Sequence, residues 1–323
     1  MEKFEQEWAR VCKAKYCVAV SSGTDALYLA LAIFDKYRVW TTPKTFIAVA
    51  EAAQRARCEL RFYDNVENVY IPHTSRASSM FPLNTAVPVS LYGIPHNEQW
   101  PDSVRVIEDL AQAHGHPLRG FAAAYSFYPT KNLGAIGQAG AIVTNNSSFA
   151  DEVRHLRNHG EKGSRFSSTT LAGGNYRMDE LQAAILRAKL PHLDAWNKRR
   201  REIAKLYSEG LTQGPVYGPL RANIKVPVDH PEHVYYIYAI ESPHRDSLAA
   251  FLKERSVQTA IRYPIPLHLQ PALAHLGYKK GDFPDAERGA NETLSLPINE
   301  SMSDGQVEYV IEQIREWANA RDS

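Results

Sequence analysis

The chain has 323 residues, 44% hydrophobic and 23% charged, and its 37 lysines and arginines nearly balance 36 aspartates and glutamates for a net charge of +1. That length leaves room for two domains with ample core, and the balance supplies no global field toward nucleic acid or a membrane. Cys12, Cys17 and Cys58 lack metal-ligand spacing, which predicts reduced thiols, no metal centre and a cytoplasmic location. Neither the charged residues 1–8 nor the short apolar run 26–34 suits a signal peptide or a membrane span.

Phe4, Trp8, Val11 and Cys12 recur at helical spacing and predict an amphipathic first helix. Residues 17–20 read as a short buried strand running into Ser21-Ser22-Gly23-Thr24-Asp25, after which Leu27, Leu31 and Phe34 share a helical face. Strand, small-residue turn and helix put backbone N–H groups and hydroxyls at a helix N-terminus, a setting that suits an anion. Plain N-capping by Ser22 or Thr24 explains the same residues. Thr42-Pro43-Lys44-Thr45-Phe46 opens a second helix over 47–57, and 59–64 is strand-like, while 66–82 is polar and irregular. Residues 87–93 read as a strand and turn, and 104–109 as a buried strand ending in Glu108-Asp109. In open α/β sheets ligands bind at that end of a strand; the alternative for Asp109 is an exposed turn acid.

Lys131 follows a strand-like run (124–128) and precedes a turn rich in glycine, Leu133-Gly134-Ala135-Ile136-Gly137. An amine so supported suits Schiff-base chemistry, which needs a lowered pKa and a fixed direction; an ordinary turn lysine is the alternative. A strand over 139–144 leaves this turn, a helix covers 149–157, and a long helical pattern over 179–211 is broken or kinked at Pro191. Beyond it come a strand over 234–240, a helix over 246–254, a proline-locked loop over 262–268 and a last helix with Val307, Ile311 and Ile314 on one face. Strands alternating with helices predict an α/β fold, a mostly parallel sheet covered by helices over residues 1–211, followed by a smaller α+β domain over 212–323.

An anion cradle at Gly23 and Thr24, an acid at Asp109, an amine at Lys131 and an aromatic at Phe46 fit one ligand, pyridoxal phosphate (PLP). Its phosphate takes N–H and hydroxyl donors, its aldehyde a lysine, its ring nitrogen a carboxylate, and its ring a packing surface.

Ser21-Ser22-Gly23-Thr24-Asp25, Thr45-Phe46, Glu108-Asp109 with Ala111-Gln112-Ala113-His114-Gly115, Ser126-Phe127-Tyr128 with Lys131-Asn132-Leu133, and Asn175-Tyr176-Arg177-Met178 together resemble the DegT/DnrJ/EryC1/StrS family of PLP-dependent nucleotide-sugar aminotransferases. The resemblance implies an aspartate aminotransferase-like fold (PLP fold type I), with Lys131 as the lysine that carries the cofactor and Asp109 as partner of its ring nitrogen. It also implies Gln112 beside the ring hydroxyl, Gly23, Thr24 and Ser126 at the phosphate, and Phe46 packed on the ring. Asn175 resembles the residue that reaches a phosphate in the neighbouring subunit, which implies a homodimer with shared active sites.

Residues 126–140 and 179–184 look most like enzymes that aminate C3 of nucleotide-linked 3-keto sugars. The loop from Tyr263 to Pro271 is similar to their substrate loop, with His268 a candidate sugar contact or a residue that only packs. The amino donor so implied is L-glutamate. Several positions depart from the pattern: the loop between His114 and Ala124 is short, Thr41 lacks a preceding Gly-Asp pair, and Ser90 and Arg262 stand where histidines are common. Arg262 could grip a diphosphate or a sugar carboxylate, or pair with a local acid. Lys131 speaks against a PLP-dependent sugar dehydratase, which has histidine there, and the full set of cofactor residues speaks against a non-catalytic or regulatory relative.

Overall fold

The computed structural model describes residues 1–34, 37–64, 84–96, 100–163, 166–212 and 224–321; the irregular stretch 66–82 lies outside them. The expected first helix is α1 (Glu2–Val11), with Phe4 and Trp8 fully buried. Side chains of that size contribute roughly 1.5–3 kcal/mol each on burial. Trp8 meets Tyr125 and Phe127 edge-on at centroid distances of 5.1 and 4.9 Å, which anchors the helix on the strand leading to Lys131.

After α1 come β1 (Tyr16–Val20), α2 (Gly23–Ala32), β2 (Arg38–Thr41), α3 (Ala48–Arg55), β3 (Glu59–Phe62) and β4 (Asn84–Ala86), then β5 (Arg105–Asp109), β6 (Ala122–Ser126) and β7 (Gly140–Thr144). The strands form one seven-stranded sheet in the order β1-β7-β6-β5-β4-β2-β3. β2 to β6 run parallel, and β7 runs antiparallel to its neighbours β1 and β6. The mostly parallel sheet expected from the sequence is present. Side chains alternate between two cores, as the two-residue repeat of a strand dictates. Val18, Val20, Ala122, Ala124 and Ile142 pack on one face with α2, and Cys17, Ala19, Ala123, Tyr125 and Val143 on the other with α1. Parallel orientation brings the C-terminal ends of β1, β2, β4, β5 and β6 to a single edge, the edge at which such sheets bind ligands.

Two expected strands are corrected. Residues 87–93 keep the expected turn, Leu91–Gly93, in which Tyr92 has φ 61°, but the strand before it is reduced to a bridge of Val89 to Asp109, β4 ending at Ala86. Pro88 supplies no N–H to a ladder, and Gln112 Oε1 takes the Tyr92 N–H instead, at 2.7 Å. The strand expected over 234–240 begins only at Tyr238, because Tyr235 turns the chain with φ 41°. The Val234 and Tyr235 carbonyls accept from Asn132 and Arg200 rather than from a neighbouring strand.

α4 (Ser147–Arg157) is followed by α5 (Glu180–Lys189) and α6 (Leu193–Thr212), separated by the 3-10 turn Leu190–His192 at Pro191, the expected break. β8 (Tyr238–Glu241) pairs antiparallel with β9 (Thr293–Leu296), with α7 (Arg245–Glu254), α8 (Pro284–Glu292) and α9 (Asp304–Arg321) around them. Ile203, Tyr207 and Leu211 of α6 join Ile240, Leu252, Leu294 and Ile314 in a core separate from the two against the large sheet. No helix among the described residues is long and apolar enough to cross a membrane.

Candidate active site

The turn after β1 and the end of β6 are pressed together at the C-terminal edge of the sheet. A Cβ on Gly23 would lie 2.6 Å from Ser126 Cβ, and one on Gly140 would lie 2.3 Å from the Ser22 carbonyl oxygen, so only glycine fits either place. Ser22 caps α2 by accepting the Asp25 N–H at 3.0 Å. The first turn of α2, with Gly23 and Thr24, therefore stands beside Ser126 with the positive end of the helix dipole exposed to the site.

Asp109 ends β5, 6% exposed, and its Oδ1 accepts the Ala111 N–H at 3.0 Å. Burial raises its carboxyl above the usual range, while that N–H bond and the charge of Lys131 pull it back. For Lys131 burial works the other way: it depresses the ammonium, against the pull of Tyr236 and Asp109. A lysine so shifted spends more of its time as the free amine, the nucleophilic form. Gln112 joins the same corner, accepting from Tyr92 N–H and donating to the Tyr263 hydroxyl at 3.2 Å. Phe46, half exposed, tilts over Tyr263 at a centroid distance of 5.8 Å.

The Lys131 turn is held by a histidine whose role the sequence did not reveal. His114 Nδ1 accepts the Leu133 N–H and its Nε2 donates to the Ser126 carbonyl, each at 2.9 Å, which fixes the neutral tautomer. Burial, helped by the Lys131 charge, lowers its pKa to about 3. A second missed residue is Tyr236, whose ring centroid is 4.4 Å from Lys131 Nζ and whose hydroxyl is 3.2 Å from Thr130 Oγ1. Burial alone would raise that phenol, but the charges of Lys131 and Arg262 and the Thr130 contact bring it below its ordinary value. Its signal in the sequence is faint: it lies in an aromatic run that reads as strand.

Of the remaining candidates, Arg262 lines a cavity of about 490 Å³ together with Lys131 and Tyr236. His268 does not line that cavity; it is buried against Phe283 and its Nε2 contacts Glu287 Oε1 at 3.0 Å. Asn175 is exposed, its backbone bridged to Asn158, while the next residue, Tyr176, accepts the Ser21 N–H at the start of the β1–α2 turn.

The residues fit PLP on structural grounds. Gly23 and Ser126 form a cradle that a Cβ would fill, with helix N–H groups and hydroxyls for a phosphate. A buried acid lacking an ion-pair partner among the described residues is available to a ring nitrogen, with a depressed lysine nearby. Together with the sheet, this donor set defines a PLP-dependent enzyme of fold type I.

The chain belongs to the DegT/DnrJ/EryC1/StrS aminotransferase family, whose model matches residues 1–315. Among its relatives, the "Pleiotropic regulatory protein" of Geobacillus stearothermophilus is 38% identical, with 98% of this chain and 89% of that one covered. The dTDP-3-amino-3,4,6-trideoxy-alpha-D-glucose transaminase of Streptomyces venezuelae is 36% identical over 100% of this chain and 88% of that one. The solved structure of S. venezuelae DesV superposes with a TM-score of 0.90 at 35% identity, covering 98% of this chain and 88% of its own.

Proposed function

We propose that the chain moves an amino group from L-glutamate to the C3 keto carbon of a nucleotide-linked sugar, in a homodimer with shared active sites. The observation that carries this reading is Lys131, its amine depressed by burial beside the Asp109 carboxyl at the end of β5. PLP, when bound, supplies the electron sink for bond-breaking at the substrate carbon. In this reading Lys131 Nζ carries the cofactor and then moves a proton to and from that carbon, and Asp109 holds a proton on the ring nitrogen. Gly23, Thr24 and Ser126 bind the phosphate, Gln112 stands at the ring hydroxyl, and Phe46 packs on the ring. Tyr263 and Arg262 face the substrate, His268 shapes the substrate loop from behind through Glu287, and Asn175 reaches the partner's phosphate. The substrate class is supported by the transaminases among the relatives. A second domain belongs to the same reading, supported by the separate core around β8 and β9, which α6 joins through Ile203, Tyr207 and Leu211 ahead of the expected boundary at residue 212, and so does a cytoplasmic location, supported by three uncrosslinked cysteines.

The test is the visible absorbance spectrum of the PLP-loaded protein before and after L-glutamate, then with dTDP- and UDP-linked 3-keto sugars. Loss of the band with glutamate and its return with a keto sugar is the expected result. A protein that takes up no PLP would instead favour a regulatory relative, a reading to which the name of the G. stearothermophilus protein lends weight.

A further inference from the structure

We propose that the cavity between Lys131 and the β9 end is the carboxylate subsite of the amino donor, with the Arg262 guanidinium as its receptor. The inference rests on the aminotransferase reading and adds which half of the reaction Arg262 serves.

Charge accounting in the cavity carries the argument. Besides Lys131, two cations line it, Arg200 and Arg262. Arg200 is committed: its Nη2 donates to Glu300 Oε2 at 3.0 Å, and its Nη1 to the carbonyls of Tyr235 and Ile298 at 3.2 and 3.3 Å. Arg262 has no carboxylate within ion-pair distance among the described residues, and its backbone carbonyl is held by the Tyr92 hydroxyl, which fixes where its side chain starts. A half-buried guanidinium without an acid, in a cavity, is a receptor for an anion that arrives from solution. The wall also carries Ser295, 6% exposed, whose buried hydroxyl has no partner among the described residues.

Position selects which anion. The Tyr236 ring lies over Lys131 Nζ at 4.4 Å, and Tyr236, Lys131 and Arg262 line the same cavity, so the guanidinium and the reacting amine serve one binding space. The carboxyl carbon of an α-amino acid is two bonds from its nitrogen, whereas the diphosphate of a sugar aminated at C3 lies across the ring. A receptor that shares the lysine's own cavity matches the amino acid. With Arg200 neutralised, the far end of the donor meets uncharged groups such as Thr259 and Asn299.

The experiment uses the PLP-loaded full chain and two variants, Arg262→Gln and Arg262→Lys. Binding of 2-oxoglutarate, the keto acid of L-glutamate and unreactive toward the resting enzyme, is measured by titration calorimetry. Each half-reaction is then followed by absorbance. Expected for Arg262→Gln is a loss of about 10- to 100-fold in 2-oxoglutarate affinity and in half-saturation by L-glutamate, larger than any loss with the keto sugar, and partly restored in Arg262→Lys. Equal losses in both half-reactions, or a larger loss with the sugar, would overturn the proposal in favour of a diphosphate or structural role. If Arg262-dependent binding of 2-oxoglutarate persists but glutamate never bleaches the wild-type band, the aminotransferase reading falls and the carboxylate subsite stands.

Discussion

Burial pushes Asp109 and Lys131 in opposite directions, each toward its neutral form, and each partly restrains the other. A protonated ring nitrogen set against the carboxylate would reverse the balance at Asp109, so acid and ring would keep one another charged. Asparagine preserves the shape of the side chain and cannot hold that charge. Asp109→Asn is therefore expected to fold, to retain some PLP and to lose about 100-fold or more in kcat; an unchanged kcat would remove Asp109 from the role. Lys44, outside the site, makes a separate prediction about stability. The residue is 1% exposed, and its Nζ donates to Thr293 Oγ1 at 2.8 Å and lies 3.7 Å from Glu241 Oε1, tying the turn after β2 to β8 and β9. Burial lowers its pKa to about 8 despite the pull of Glu241, and Arg288 on α8 adds to the lowering. The unfolded lysine keeps its proton up to about pH 10.4. Between the two values the unfolded chain binds more protons, so the contribution of Lys44 to stability rises with pH there. Lys44→Met leaves Glu241 its Arg288 partner at 3.0 Å. The variant should melt at or above wild type near neutrality and lose that margin as pH passes 8, a swing on the order of 2–3 kcal/mol; a pH-independent difference in Tm would show that the lysine is not depressed.

The close approach of the β1–α2 turn to the end of β6 makes Gly23 a sharp test of the cradle. An alanine there must displace Ser126 or the first turn of α2, since its Cβ would meet Ser126 Cβ at 2.6 Å. Gly23→Ala is expected to fold and to bind PLP about 10- to 100-fold more weakly, measured by cofactor titration; unaltered affinity would place the phosphate elsewhere. Much of this edge was legible in the sequence, because Gly23, Asp109, Ser126 and Lys131 each sit where a strand ends and a turn begins, a local pattern. The strand over 234–240 was misread because its aromatic run looks extended. What ends it is tertiary: Arg200 and Asn132 draw off the carbonyls that a ladder would need. Tyr236 and His114 escaped for the same reason, since Tyr236 reaches Thr130 across 106 residues and His114 bridges two segments that the sequence keeps apart. His268 shows the converse: the loop was recognisable, but the direction of the ring depended on Glu287 of α8.

Asn175 is exposed, with its backbone bridged to Asn158. If it completes the site of a second subunit, each active site in the dimer takes Lys131 from one chain and Asn175 from the other. A mixture of Lys131→Ala and Asn175→Ala proteins then has a distinctive behaviour. In a heterodimer one site carries both defects and the other carries neither, because the intact lysine and the intact asparagine meet across the interface. Random reassortment makes half of the dimers mixed, with one sound site in each, so about a quarter of wild-type activity returns from two nearly inactive parents. Subunit exchange is promoted by brief mild denaturant, and a tag on one parent verifies that heterodimers formed. Recovery near this level would establish a shared site and the place of Asn175 in it. Heterodimers no more active than their parents would mean that Asn175 serves its own subunit or none, and the dimer would have to be explained without it.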